Sequence, residues 1–227
     1  MSIWYFEETD LYKVFCPHNL KGLKDKHVFQ SFKKDDYIYF SDETSSHIYL
    51  IQSGQIKIGT YTESGKELVK AILQKGEIFG EQALAGEEKR RYFAQAMDNE
   101  VSVCPLTLLD MQELMKEDKE FSFKIFRILG FRLMKAERQI ESLINKDART
   151  RIIEYLIDLA EERGIKVGDE TLVKHFFKHK DIASLTATSR QTVTTILNEL
   201  RDKNVINFDR KRLLIRDLGQ LKKTKSI

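Results

Sequence analysis

The chain has 227 residues, a length that favours two ordinary domains. With 41% apolar and 32% charged residues, 11 Gly and only 2 Pro, it is not collagen-like, low-complexity or wholly disordered. No apolar run approaches the length of a membrane span, and the start MSIWYFEETD carries acids where an export signal carries lysines, so the protein is expected in the cytoplasm. The two cysteines, Cys16 and Cys104, are too few for a disulfide framework or a four-thiolate cluster. The net charge of +3 is unevenly distributed. From Ala148 to Ile227 there are 17 Lys and Arg against 11 Asp and Glu, a net +6, which leaves 21 against 24 in the residues before. A polyanion, if one is bound, is expected at the C-terminal third.

The first hundred residues read as short strands separated by turns. Asp36–Phe40, His47–Ile51, Gln55–Thr60, Leu68–Leu73 and Phe93–Val103 are rich in β-branched and aromatic residues. Ser53-Gly54, Glu63-Ser64-Gly65 and Lys75-Gly76 supply residues that tolerate a positive φ at the reversals. The spacing predicts a small antiparallel sandwich or barrel.

After Pro105 the pattern turns helical from Leu106 to about Arg163, interrupted only by Gly130. Phe126, Leu129, Leu133, Ala136, Ile140 and Leu143 alternate by three and four, the rhythm of a helix-pairing seam, and predict a homodimer. Beside it runs a second row, Ile125, Ile128, Phe131 and Met134, suited to packing on the chain's own sheet. The alternative is a seam buried within its own subunit. A break around Lys146-Asp147-Ala148 precedes a helix Arg149–Arg163 that ends at Gly164. The expected boundaries are 1–115 for the strand-rich domain, 116–147 for the pairing helix and 148–227 for the basic C-terminal domain.

The strongest local signal lies between Lys178 and Ile206. Asp181, Ile182, Ala183 and Leu185 fit a short helix and Thr186–Thr188 a tight turn. Ser189 caps a second helix with apolar face Val193, Ile196, Leu197 and Leu200. The segments Val205–Phe208 and Leu213–Ile215 flank the basic turn Asp209-Arg210-Lys211-Arg212 as a wing. At the start of the second helix, Arg190 can fork onto guanine and Gln191 can pair with adenine. Thr194 and Thr195 stand beside them, and Ser189 and Thr192 suit phosphates at the positive helix end. Taken singly, such residues are ordinary solvated surface; the expectation rests on the ensemble.

These features together resemble the Crp/Fnr family of bacterial transcription regulators, from about residue 10 to residue 217. The resemblance is carried by the SGQIKI…TESGKELVKAILQKGEIFGE hairpin series, the long helix, and TSRQTV…LRDKNVI with its wing. It implies an α+β chain: an N-terminal antiparallel β-roll of double-stranded jelly-roll type that resembles cyclic-nucleotide-binding domains, a long dimerisation helix, and a C-terminal winged helix-turn-helix. The implied partners are double-stranded DNA with a pseudo-palindromic site, a second copy of the chain and RNA polymerase.

Members that bind cyclic AMP carry a Gly-Glu pair followed ten residues later by Arg and a small hydroxyl residue. At that interval this chain has Gly80-Glu81 and Arg91-Tyr92. The implied roles are a two-pronged Arg91 contact to the cyclic phosphate and Glu81 accepting from the ribose. Tyr92 departs from the pattern and fills space a phosphate needs. On the long helix, the positions that present hydroxyls to adenine are Ala136 and Glu137, which are unsuited to donate. The expectation is therefore against cyclic AMP, leaving another small anionic effector or none. An internal salt bridge is the competing role for Glu81 and Arg91.

No haem or iron–sulfur cluster is expected. Cluster-bearing relatives need several cysteines, and a metal reading rests only on His18 near Cys16 or on His175 and His179. No nucleophile with a matched base, P-loop or HExxH is present, so an enzyme is not expected. A nucleotide-sensing interaction module without DNA binding, or a constitutive regulator with a vestigial pocket, are the alternative readings.

Overall fold

The computed structural model describes residues 29–174, 177–209 and 211–225, so Cys16, His18, His175 and Arg210 lie outside the described residues. The chain divides into two compact units, one ending at Arg132 and the other beginning at Leu133. The architecture is α+β, as the sequence predicts. Among the described residues no helix is long and apolar enough to cross a membrane.

In the first unit, strands β1 (Gln30–Phe32), β2 (Tyr37–Tyr39), β3 (His47–Ser53), β4 (Gln55–Tyr61), β5 (Glu67–Gln74), β6 (Ile78–Phe79), β7 (Phe93–Ala96) and β8 (Val101–Thr107) build two sheets. Their orders are β1-β8-β3-β6 and β2-β7-β4-β5, with antiparallel pairing throughout. The expected single strand Phe93–Val103 is two strands in different sheets. Between them the chain turns, anchored by the Met97 amide donating to the Gln55 carbonyl at 2.9 Å. Strand β8 also runs through Pro105, which pairs with Tyr49 beyond the end of the β1 pairing, an edge position that tolerates a missing N–H.

Strand alternation divides the core in two. From β3 and β8, Ile51, Val101 and Val103 face Ile56, Ile58, Leu73, Ala94 and Ala96 of the other sheet and fill the sandwich. Ile48, Leu50, Cys104 and Leu106 point the other way, onto helices α1 (Leu108–Glu117) and α2 (Lys119–Asn145). There they meet Met111, Leu114, Phe121, Ile125 and Ile128, so half of the second apolar row on α2 is spent inside the unit. Each such side chain contributes about 1.5–3 kcal/mol when fully buried. The helical run breaks at Asp118, whose carboxylate accepts from the amides of Glu120 (2.8 Å) and Phe121 (3.0 Å) and so starts α2 anew.

The second unit holds the end of α2, then α3 (Ala148–Arg163), β9 (Gly164–Val167), β10 (Glu170–Lys174), α4 (His179–Leu185), α5 (Arg190–Asp202), β11 (Ile206–Phe208), β12 (Arg212–Ile215) and α6 (Leu218–Lys223). Asp147 caps α3 by accepting from the Thr150 amide at 2.7 Å, which is the break expected there. The strands form one antiparallel sheet in the order β11-β12-β10-β9. The hairpin of β9 and β10 has no counterpart in the sequence reading.

Candidate nucleic-acid interface and effector roll

Helix α5 owes its position to its apolar side. Val193, Ile196, Leu197 and Leu200 are all buried, and α4 packs against it through Ile182 and Ala183. The connecting turn is fixed by side chains. Arg151 of α3 donates from Nε to the Thr186 carbonyl (2.9 Å) and from Nη2 to the Ala187 carbonyl (3.1 Å). The Thr186 hydroxyl donates to the Ile182 carbonyl at 2.7 Å. A two-pronged pair from Arg149 to Glu199, at 2.6 and 3.1 Å, ties α3 to α5. Hydrogen bonds from Arg149 and then Lys203 hold the Glu199 carboxyl down to about 2.

With one side so committed, the other is free for a partner. Ser189 accepts from the Thr192 amide at 3.0 Å, the capping role expected, and its hydroxyl lies 2.8 Å from that of Thr192. Ser189, Arg190, Gln191 and Thr195 are exposed, while Thr192 and Thr194 are half-buried. Thr194 is engaged within the unit: its hydroxyl donates to the Arg190 carbonyl (2.9 Å) and lies 2.9 Å from Nδ1 of His179. In the wing, the Asp209 carboxylate accepts from the amides of Lys211 (2.6 Å) and Arg212 (2.8 Å), leaving both basic side chains exposed. His179 is thus bound to a threonine, and among the described residues no three His, Cys, Asp or Glu are grouped to hold a metal.

In the first unit, Gly80 and Glu81 open a short 3-10 turn, Glu81–Ala85, after β6. Gly80 has φ 79°, and a Cβ there would come within 2.7 Å of Arg90 Nη1 and 2.9 Å of the His47 carbonyl oxygen, so glycine is required. Arg90, at 3% exposure, fills this space. It donates to the carbonyls of Gly80 (3.0 Å) and His47, and its guanidinium lies 4.4 Å from the Tyr39 ring centroid and 5.7 Å from that of Tyr49. Burial pushes the Tyr39 phenol above its ordinary value.

The arginine expected to enter the roll was Arg91. Instead Arg91 is exposed and paired with Glu87 on the surface, while its neighbour Arg90 turns inward. Successive side chains entering β7 point to opposite sides, so a displacement of one residue exchanges inside for outside. Tyr92 is half-buried under Lys70, whose Nζ lies 4.0 Å from the ring centroid. Glu81 pairs with Arg132, which also donates to the Ile78 carbonyl. The competing role for Glu81 and Arg91, an ion pair with each other, is not what the structure has: Glu81 pairs with Arg132 and Arg91 with Glu87. The sequence singles out neither Arg90 nor Arg132, because the identity of an arginine does not announce which way its side chain faces. Ala136 and Glu137 are both exposed on the part of α2 that belongs to the second unit.

Comparison with known proteins follows the same division. Residues 29–118 match the cyclic nucleotide-binding domain family and residues 150–224 the Crp-like helix-turn-helix domain family. The chain is 25% identical over 189 residues to a global nitrogen regulator of Nostoc sp., covering 83% of this chain and 85% of that protein. The structure is similar to that of a CooA mutant from Carboxydothermus hydrogenoformans, with a TM-score of 0.79, 26% identity and 99% of each chain covered. It is also similar to a transcriptional regulator of the CRP/FNR family from Thermus thermophilus, with a TM-score of 0.69, 26% identity, and 88% of this chain and 99% of that chain covered. A cyclic nucleotide-binding domain match in the first unit is followed along the chain by a Crp-like helix-turn-helix match in the second, and the chain belongs to the Crp/Fnr family of transcription regulators.

Proposed function

We propose that the protein is a homodimer that reads a pseudo-palindromic DNA site with the start of α5, gated by a small effector at the Gly80–Glu81 turn of the roll. The carrying observation is the two-sided character of α5: a buried apolar face fixes it, and Arg190, Gln191 and Thr195 stand exposed at its capped start. Arg190 suits the O6 and N7 of guanine, Gln191 the edge of adenine, and Ser189 and Thr192 the phosphates. Lys211 and Arg212 of the wing add backbone contacts and a steep salt dependence.

Pairing through α2 is supported by Phe126, Leu129, Leu133 and Ile140, which are 63%, 37%, 61% and 57% exposed in the single chain. Leu143 and Ala136 continue the stripe, also exposed. A dimer sets two copies of α5 about 34 Å apart, one turn of the duplex. RNA polymerase is the further partner proposed for the case in which the regulator activates.

Cyclic AMP is disfavoured as the effector. Arg90 is occupied by two backbone carbonyls and Arg132 by Glu81, so a cyclic phosphate must displace one of these arrangements before it gains a cation. Gating by any ligand requires a difference in affinity between two states of the protein. A constitutive regulator, controlled by its amount, is the reading favoured if the same contacts simply close the site.

A selection from random duplexes, with and without cyclic nucleotides and other small anions, tests the proposal. The expected result is one two-fold-symmetric site, in which Arg190→Ala relaxes one guanine position by about 1–3 kcal/mol. Absence of any preferred duplex overturns the DNA-reading assignment. Thermal unfolding with the same compounds separates a gated regulator, whose melting temperature rises with its effector, from a constitutive one.

A further inference from the structure

Three elements of the second unit meet at His179, the first residue of α4. Its Nδ1 lies 2.9 Å from the Thr194 hydroxyl oxygen on α5. Its ring stands edge-on to Phe208 of β11, with centroids 5.8 Å apart at 61°. On the same Phe208 ring lies the guanidinium of Arg201, at the other end of α5, 5.7 Å from the centroid.

The direction of the hydrogen bonds follows from counting protons. A threonine hydroxyl has one. The Arg190 carbonyl, 2.9 Å from Thr194 Oγ1, can only accept, so the proton of Thr194 goes there. With that proton on the Arg190 carbonyl, the hydroxyl oxygen can accept from the His179 tautomer that carries its proton on Nδ1. Thr194 is left with no proton for a base edge, although its position on α5 places it beside the exposed reading residues. Its side chain serves instead as a strut between α4 and the first turn of α5, where Arg190 begins the helix. Partial burial, followed by the charge of Arg190, lowers the His179 pKa and keeps the imidazole neutral in this role.

We infer that His179 is a positioning residue for sequence reading: through Thr194 and Phe208 it holds the start of α5 in one orientation relative to the wing, so that Arg190 and Gln191 meet base edges in register. This rests on the DNA-reading function proposed above and names a residue that acts on it without touching a base. Reading base edges demands tighter placement than holding phosphates, since non-specific binding is electrostatic and tolerant of small rotations.

The test uses full-length protein, the selected duplex and an unrelated duplex of equal length, titrated by fluorescence anisotropy. His179→Ala is expected to weaken the selected duplex by about three- to tenfold, the loss of one net hydrogen bond, and to leave the unrelated duplex unchanged. Thr194→Val is expected to do the same, and the double variant to be no worse than either single one, because both remove one strut. His179→Asn, whose amide N–H stands in for Nδ1–H, is expected to restore selectivity. If His179→Ala fails to fold, Thr194→Val and His179→Asn carry the same comparison. Equal losses on both duplexes, with a shallower salt slope, would mean that His179 is a phosphate contact and would overturn the inference; so would full selectivity in the variants. A wild-type protein that prefers no duplex overturns the DNA-reading function first, which is a separate outcome from a selective wild type with equally selective variants.

Discussion

Arg90 donates from Nη1 to the carbonyl oxygen of Gly80, ten positions earlier in the chain, at 3.0 Å and closes the turn that opens with Glu81. The guanidinium is held between that carbonyl, the carbonyl of His47 and the face of Tyr39. It is a buried cation whose partners are backbone dipoles and two tyrosine rings.

Its removal is expected to cost the roll about 2–4 kcal/mol in Arg90→Met, since two buried carbonyls lose their donor while the methionine fills only the stem. Arg91→Met, at an exposed i,i+4 pair with Glu87, is expected to change stability by less than about 0.5 kcal/mol. Urea denaturation of the two variants checks the contrast, and a larger effect at Arg91 would reverse the assignment of inside and outside.

The same pair of residues marks how far a sequence alone reaches. The interval of ten from the Gly-Glu pair is visible in the chain, but which of two adjacent arginines enters is decided by the path from the 3-10 turn into β7, a matter of one residue of register. The helix-turn-helix was legible because cap, apolar spacing and turn agree: Ser189 caps, Val193, Ile196, Leu197 and Leu200 are buried, and Ala187 takes the positive φ of 48° in the turn. The hairpin Gly164–Lys174 was not, since Ile165 and Val167 alternate for only four residues and are about half exposed. Splitting of Phe93–Val103 between two sheets was hidden for a similar reason. Apolar alternation continues on both sides of the turn, and nothing in the pattern says that the chain changes sheet.

The exposed stripe on α2 makes a prediction about assembly. Ile140→Arg, at a residue 57% exposed in the single chain, leaves the cores of both units untouched but places charge in the proposed pairing seam. Sedimentation is expected to show a monomer with unchanged far-ultraviolet dichroism. Affinity for a two-half-site duplex is expected to fall to that for one half-site, because linkage supplies the second contact at high effective concentration. A variant that stays dimeric would place the interface elsewhere.

Two carboxylates in the second unit are expected to give opposite pH responses. Asp158 on α3 is pushed up to about 6, first by burial and then by the charges of Glu161 and Glu154. Its folded value lies above the unfolded one near 3.9, so the folded chain binds more protons between them and stability falls as pH rises from about 4 to about 6. Glu199 is held at about 2 by Arg149 and Lys203, below its unfolded value near 4.3, so its contribution is complete above about pH 4.3 and is lost as pH falls toward 2. Asp158→Asn should therefore raise stability at pH 7 by about 1–2 kcal/mol after solvent screening, with the gain vanishing below about pH 4. Glu199→Gln should lower stability at pH 7, with the loss shrinking as the wild type itself is acidified below about pH 4. Thermal unfolding of both variants from pH 3 to pH 8 measures the two curves, and parallel curves for the pair would show that neither carboxylate titrates in the environment described.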